Sequence, residues 1–238
     1  MHLLVIDPGY AHQNSHHHEV NGELARYLGP RGWTIHIAAS ARIDSVTQQR
    51  RENDNVKISP HFETSCYRDN IDALDPETHN QLSACFSDEL VAIMRNLPND
   101  ATILLHTGFS PHFKGLADAL ARSGKRVNWT VIVLGMFSPY GEGDSGQTPS
   151  IEPLRYRHAL TSLEHLNRAR SFHFCFAVPC HLYQRLYAPL CHGHMPPIHP
   201  AVNYRPYKPV TQETKRQRIL AFLGCPKADK GIEFAAQF

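Results

Sequence analysis

Apolar runs typical of buried strands alternate along this chain with segments whose apolar residues recur at helical spacing. The strand-like runs are nearly continuous in apolar residues, as in strands that are covered on both faces. Parallel neighbours need a crossover between them, and the helical segments supply it. The pattern therefore predicts an α/β fold with a doubly wound, Rossmann-like parallel sheet. The predicted strands are residues 3–6, 33–38, 56–62, 101–105, 127–134, 172–178 and 197–202, and the predicted helices are residues 20–28, 79–97, 113–123, 154–169 and 181–187.

Composition narrows the class of protein. Of the 238 residues, 42% are hydrophobic and 19% are charged, which indicates a globular chain. A net charge of +2 gives no reason to expect nucleic acid as a partner. No apolar run approaches the roughly 18 residues of a membrane span, and the N-terminus reads as a first strand rather than a signal peptide. The six scattered cysteines indicate reduced thiols and a cytoplasmic location.

The loops that follow the predicted strands are the candidate functional site, because ligands of doubly wound sheets bind outside the carboxyl ends of the strands. His106 comes directly after the predicted strand 101–105 and is the candidate catalytic residue. The alternative for His106 is a structural, hydrogen-bonded histidine. A nicotinamide-binding enzyme would need Gly-x-Gly-x-x-Gly after the first strand, and residues 7–13 do not supply it.

Three consecutive histidines, at positions 16–18, stand where the first loop enters a helix. Backbone N–H groups and the helix dipole attract anions there, so these side chains are candidates for binding a phosphate or substrate hydroxyls. The alternative is a solvated helix start, with Ser15 as the N-cap. His12 and His16 could also contribute to a metal site, but the sequence shows no carboxylate or cysteine partner near them, and no metal is predicted.

Four segments, taken in order, carry a resemblance to a known family. The first combines Ser-His-His-His-Glu at 15–19 with Leu-Ala-Arg-Tyr-Leu at 24–28 and Arg-Gly-Trp at 31–33; the others are residues 103–124, 197–209 and 219–231. Together and in this order, the four segments resemble the N-terminal half of GT-B glycosyltransferases, in the retaining group that includes sucrose and mannosyl transferases. The features of that family that they resemble are, in turn, a loop running into a helix, a strand with a His-x-Gly loop, a Pro-rich segment before a linker, and a strand with a Lys-Gly turn.

The resemblance implies a hexosyltransferase that takes a sugar from a nucleotide-diphosphate sugar. It implies an acceptor-side domain at 1–209, a linker at 210–217, and the first strand and helix start of a donor-side domain at 218–238. Because that last βα unit stops inside its helix, we expect the chain to be incomplete for activity. No cofactor is expected beyond the nucleotide-sugar substrate.

The resemblance also assigns candidate residues. Donor binding would fall to Lys230, flanked by Gly224 and Gly231, and catalysis to His106. The carbohydrate or lipid-linked acceptor would contact the first loop and helix start, at Gly9, Tyr10, His16, His17, His18 and Glu19. Four arginines between 155 and 170 are expected to form a solvated helix face, which leaves peripheral membrane association open. The sugar, the nucleotide, the acceptor and the oligomeric state are not predicted.

The chain departs from the family pattern in two places. Cys225 stands where the family has the arginine that grips the donor diphosphate, so the bidentate fork is lost. Ile132, Val133 and Leu134 stand where a strand-end histidine is expected. These departures support an alternative, a non-catalytic GT-B-like binding or scaffold protein.

Overall fold

The computed structural model describes residues 1–65, 74–123, 128–140, 151–169 and 172–197. The chain divides into two units, Met1–Val202 and Asn203–Phe238, and every described residue belongs to the first. Its elements are β1 (His2–Asp7), α1 (His16–Leu28), β2 (Thr34–Ser40), α2 (Ser45–Arg51), β3 (Val56–Phe62), α3 (Pro76–Met94), β4 (Thr102–Leu105), α4 (Ser110–Arg122), β5 (Thr130–Leu134), α5 (Glu152–Ala169), β6 (His173–Ala177) and α6 (His181–Tyr187).

The six strands form one sheet in the order β3-β2-β1-β4-β5-β6, and all of its pairings are parallel. This confirms the predicted α/β class and doubly wound sheet. The chain builds outward from β1 to β3, returns to the other side of β1, and continues outward from β4 to β6. The order therefore reverses between β1 and β4, and a crevice at their carboxyl ends is where sheets of this type bind ligands.

Alternate residues of the central strands supply two separate cores. Leu4, Ile103 and Val131 face one side, where they join the core formed by α3, α4 and α5. Val5 and Ile35 face the other side, where α1 packs. The period of two along each strand explains why strands with continuous apolar sequences bury both faces.

Helices α3 and α4 approach closely because Gly115 has no side chain at their crossing. A Cβ atom at Gly115 would lie 2.7 Å from the backbone oxygen of Ser83 and 2.9 Å from Cδ1 of Phe86. The obstacle at Ser83 is backbone, which cannot move aside by changing rotamer. Gly115 thus fixes the distance between these two helices.

We expect Gly115→Ala to lower the free energy of unfolding by about 1–3 kcal/mol, because the added methyl group overpacks the α3–α4 contact. Urea denaturation measures this. Gly29→Ala is the matched control, since Gly29 has a right-handed helical conformation and no atom lies within 4 Å of its missing Cβ. Equal stability of the two variants would contradict this role of Gly115.

The structure differs from the sequence prediction at several elements. Helix α2 lies in a segment that reads as a charged loop; it is short and is capped by Asp44, whose side chain accepts a hydrogen bond from the backbone of Thr47. Helix α4 begins three residues earlier than predicted, since Pro111 is accommodated in its first turn. Of the predicted strand 197–202 only Pro197 is described, and its carbonyl accepts a hydrogen bond from Val178. The predicted linker and donor-side segment lie outside the described residues.

Among the described residues, no helix has both the length and the apolar character needed to cross a membrane.

Candidate functional site

The point where the strand order reverses carries a carboxylate and a histidine side by side. Asp7 is the last residue of β1, and His106 directly follows β4. The register pairs Ile6 with Leu105, so the next residue of each strand emerges at the same place. Asp7 is fully buried and His106 is 3% exposed.

A second histidine reaches the same carboxylate from helix α1. His17 Nδ1 lies 2.6 Å from Asp7 Oδ1, and His106 Nε2 lies 2.9 Å from Asp7 Oδ2. His17 is the second residue of α1, and it is fully buried like Asp7. We call Asp7, His17 and His106 the Asp7 cluster.

Two neighbours hold the cluster in place. Asn21 lies one helical turn after His17, and its Nδ2 donates a 2.7 Å hydrogen bond to Asp7 Oδ2. On the other side, Thr107 Oγ1 lies 2.8 Å from His106 Nδ1. Both neighbours are themselves buried. The cluster therefore has a fixed arrangement, in which Asn21 supports the central Asp7 and Thr107 supports His106.

The electrostatics of the cluster favour an ionised Asp7. Burial alone would raise the pKa of Asp7, but the charge and hydrogen bond of His106, followed by those of His17, hold that pKa well below its usual range. Asp7 is therefore a carboxylate at neutral pH, with Oδ2 accepting hydrogen bonds and Oδ1 lying 2.6 Å from His17 Nδ1. In this arrangement it can orient two imidazole rings and stabilise a positive charge that forms on either of them.

The other acceptor-side candidates surround the cluster at different depths. Tyr10 is fully buried, and its hydroxyl lies 2.9 Å from Nδ1 of the half-buried His18. His16 is exposed, and its ring centroid lies 4.0 Å from that of His17. Gly9 is buried in the loop after β1, whereas Glu19 is exposed in the first turn of α1. Their roles in binding stay predictions.

The structure thus brings His17 and His106 together, and it does not bring Glu19 into the cluster. Gly224, Lys230 and Gly231, predicted to bind the donor, lie outside the described residues, as does Cys225.

Asp7 is the functional candidate that the sequence reasoning missed. The signal was present, because Asp7 ends the first predicted strand as His106 follows the strand 101–105. In the usual order of a doubly wound sheet these two strands are neighbours, so their ends meet. Asp7 also supplies the carboxylate partner that was not assigned to the histidines following the first strand.

The three side chains are also of the types that bind metal ions. One ligand atom from each residue can be chosen so that all three lie within 4.8 Å of one another. Two imidazoles and a carboxylate suit zinc and related divalent transition metals. The same atoms can therefore share protons with one another or share an ion.

Solved structures that are similar to this chain include the two described next, while no family model and no curated protein matches it. One is a proposed epimerase from Bacteroides thetaiotaomicron, with 13% identity, 75% of this chain and 70% of that chain covered, and a TM-score of 0.37. The other is the glycosyltransferase VinC in complex with dTDP, with 14% identity, 75% and 49% covered, and a TM-score of 0.31. Similarities at this level identify neither a family nor a function.

Proposed function

We propose that this chain forms the acceptor side of a glycosyltransferase, which moves a sugar from a nucleotide-diphosphate sugar to a hydroxyl group of an acceptor. The observation that carries the proposal is the buried Asp7 cluster at the reversal point of the sheet. Sugar transfer as the reaction, and a hexose as the sugar, are supported by the resemblance of the four sequence segments.

In this reaction the acceptor hydroxyl must lose a proton as its oxygen bonds to the sugar carbon and the nucleoside diphosphate leaves. His17 is the group best placed to accept that proton. Its Nδ1 faces Asp7, so with the ring proton on Nδ1 the other nitrogen, Nε2, is basic. The carboxylate of Asp7 would stabilise the imidazolium that results.

His106 is better suited to positioning than to proton transfer. Its Nε2 faces Asp7, and its Nδ1 already lies at hydrogen-bond distance from Thr107 Oγ1. Both ring nitrogens of His106 are thus engaged, and His106 holds Oδ2 of Asp7 while His17 contacts Oδ1. The catalytic role predicted for His106 accordingly becomes a proposal that His106 positions Asp7.

Access to His17 passes the exposed side chain of His16, whose ring lies over it. We propose that an acceptor displaces His16 and contacts the loop that carries Gly9 and Tyr10. The acceptor thus binds where the sequence predicts it, but the histidines have different roles. His17 accepts the proton, whereas His16 covers it until an acceptor binds.

The second candidate is a non-catalytic binding or scaffold protein with the same fold. Cys225 favours it, because a cysteine cannot neutralise a diphosphate as the arginine of the resembling family does. In that protein the Asp7 cluster would serve stability alone.

Sugar transfer by the full gene product that carries this sequence tests the proposal. The protein is incubated with UDP-, GDP- and dTDP-hexoses and a panel of hydroxyl acceptors, and products are detected by mass spectrometry. We expect a glycosylated product whose formation falls by about 100-fold or more in His17→Gln, in line with loss of a general base. His2→Gln is the matched control, since His2 is exposed at the opposite end of β1.

Transfer that is equal in the wild type and His17→Gln would contradict the role of His17. Absence of transfer with every donor, in a protein that still binds acceptors, would favour the scaffold.

A further inference from the structure

We propose that the Asp7 cluster is also a binding site for a divalent transition-metal ion of the zinc type, and that the ion blocks sugar transfer when it is bound. Asp7, His17 and His106 would each give one ligand atom. The ion-binding part of this inference needs only the geometry of the cluster, whereas the inhibitory part rests on the proposed function.

The three metal-ligand residues come from separate elements that the fold holds together. Asp7 ends β1, His106 follows β4, and His17 lies in the first turn of α1. Their ligand atoms lie within 4.8 Å of one another, and the side chains of the three residues are 0–3% exposed. A buried, preformed set of three N and O donors differs from a surface group of acidic residues, which has no fixed geometry.

The distances in the cluster are close to those that an ion requires. A tetrahedral ion with bonds of about 2.0–2.1 Å holds neighbouring donor atoms about 3.3 Å apart. The present separations are 2.6 Å between His17 and Asp7 and 2.9 Å between His106 and Asp7. The two separations would each widen by about 0.4–0.7 Å, and because they run to different oxygens of Asp7, the carboxylate would bind through both oxygens or turn one of them toward both rings.

The surroundings of the cluster also match those of metal sites, where ligands are oriented by a second layer of hydrogen bonds. Asn21 donates to Asp7, and Thr107 lies against the ring nitrogen of His106 that faces away from Asp7. In addition, Asn21 Oδ1 is buried and has no hydrogen-bond partner among the described residues. This unpaired amide oxygen is on the same side chain that contacts Asp7, and amide oxygens are among the ligand atoms that bind divalent ions.

The ion and the proposed proton transfer compete for one atom. His17 turns Nδ1 toward Asp7, and an ion bound there takes the place of the hydrogen on Nδ1. In the neutral ring that hydrogen moves to Nε2, the nitrogen proposed to accept the proton of the acceptor. The same shift at His106 places its hydrogen on Nδ1, from which it can be donated to Thr107 Oγ1. Loading the ion therefore removes the base without any redox step.

Two titrations of the metal-free protein test the site. Binding of Zn²⁺ is measured by isothermal titration calorimetry, and binding of Co²⁺ by visible absorption. We expect one site per chain, and an affinity that falls by about 100-fold or more in His106→Gln, since even outer-shell changes cost about 10–100-fold. Asn21→Ala, which keeps all three ligands, should weaken binding by about 10–100-fold. His12→Gln is the matched control, because His12 is an exposed histidine in the loop between β1 and α1.

The outcomes separate this inference from the proposed function. Tight one-site binding that depends on His106 and Asn21, with or without measurable sugar transfer, supports the ion site. Inhibition of transfer by the same concentrations of Zn²⁺ supports the block. Weak binding at several sites that is unchanged in His106→Gln would overturn the ion site, even if transfer is observed. Tight binding that leaves transfer undiminished would overturn the block alone.

Discussion

Replacing Asp7 with asparagine should lower the free energy of unfolding by about 3–5 kcal/mol, because it breaks a buried charge arrangement from its centre. Asp7 is fully buried; its Oδ2 accepts hydrogen bonds from Asn21 and His106, and its Oδ1 lies 2.6 Å from His17 Nδ1. An asparagine amide carries no charge and has only one accepting atom, so the groups that face the carboxylate in the wild type cannot all keep their acceptor. Such a loss is costly in a buried site, because the group left unpaired cannot turn to water.

The same substitution should also reduce sugar transfer by about 100-fold to 10,000-fold, the range expected when general-base catalysis is removed. Without the carboxylate, nothing holds the proton of His17 on Nδ1, and the imidazolium formed in the reaction loses its counter-charge. The stability effect and the transfer effect thus have one cause but separate readouts.

Urea denaturation and the mass-spectrometric transfer assay measure the two effects of Asp7→Asn. Asp118→Asn is the matched control, because Asp118 forms a half-exposed pair with Lys114 one helical turn away. Pairs of that kind contribute about 0–1 kcal/mol. If Asp7→Asn and Asp118→Asn unfold at the same urea concentration, the central role of Asp7 in the cluster is wrong.

The periodicity of the sequence was sufficient to predict most of the fold. Strand β3 and helix α6 have the predicted bounds, and the other described strands differ by one to three residues at one or both ends. Helix α2 was missed because its seven residues lack the apolar stripe that reveals a helix by periodicity. Its stability depends on the cap at Asp44 and on tertiary contacts, such as the bond from Gln48 Nε2 to the backbone oxygen of Ile58.

The site was predicted in part, because its residues belong to two kinds of signal. His17 and His106 stand at positions that are informative in one dimension, a helix start and a strand end. Their relation to Asp7 depends on which strands are neighbours, and hydrophobic patterning does not determine that order. Once β1 and β4 are known to pair, the meeting of Asp7 and His106 follows from the register.

Two further histidines, His79 and His112, lie buried outside the cluster and could not be assigned from the sequence. His79 Nε2 lies 3.0 Å from Ser110 Oγ, and Nδ1 of His112 accepts a hydrogen bond from the backbone N–H of Phe109. Burial lowers the pKa of His112 to about 3; the hydrogen bond from Phe109 opposes this shift, and the nearby His79 adds to it. Burial, with the positive charges of Arg155 and Lys114, lowers the pKa of His79 to about 4. Both are therefore neutral in the folded protein across a wide range of pH.

Acid should destabilise this protein well above the pH at which carboxylates titrate. Between about pH 6.5 and pH 4 the unfolded chain binds protons at His79 and His112 and the folded chain does not, so stability is full above the unfolded pKa and falls as the pH falls. The contribution of His112 alone to the free energy of unfolding should decrease by about 2 kcal/mol between about pH 7.5 and about pH 5.

Urea denaturation at these two pH values measures the change. His112→Asn removes the titrating group and should reduce the decrease, whereas His165→Asn, an exposed change on α5, should leave it as in the wild type. A decrease of equal size in the wild type and His112→Asn would show that His112 is protonated in the fold as readily as in the unfolded chain.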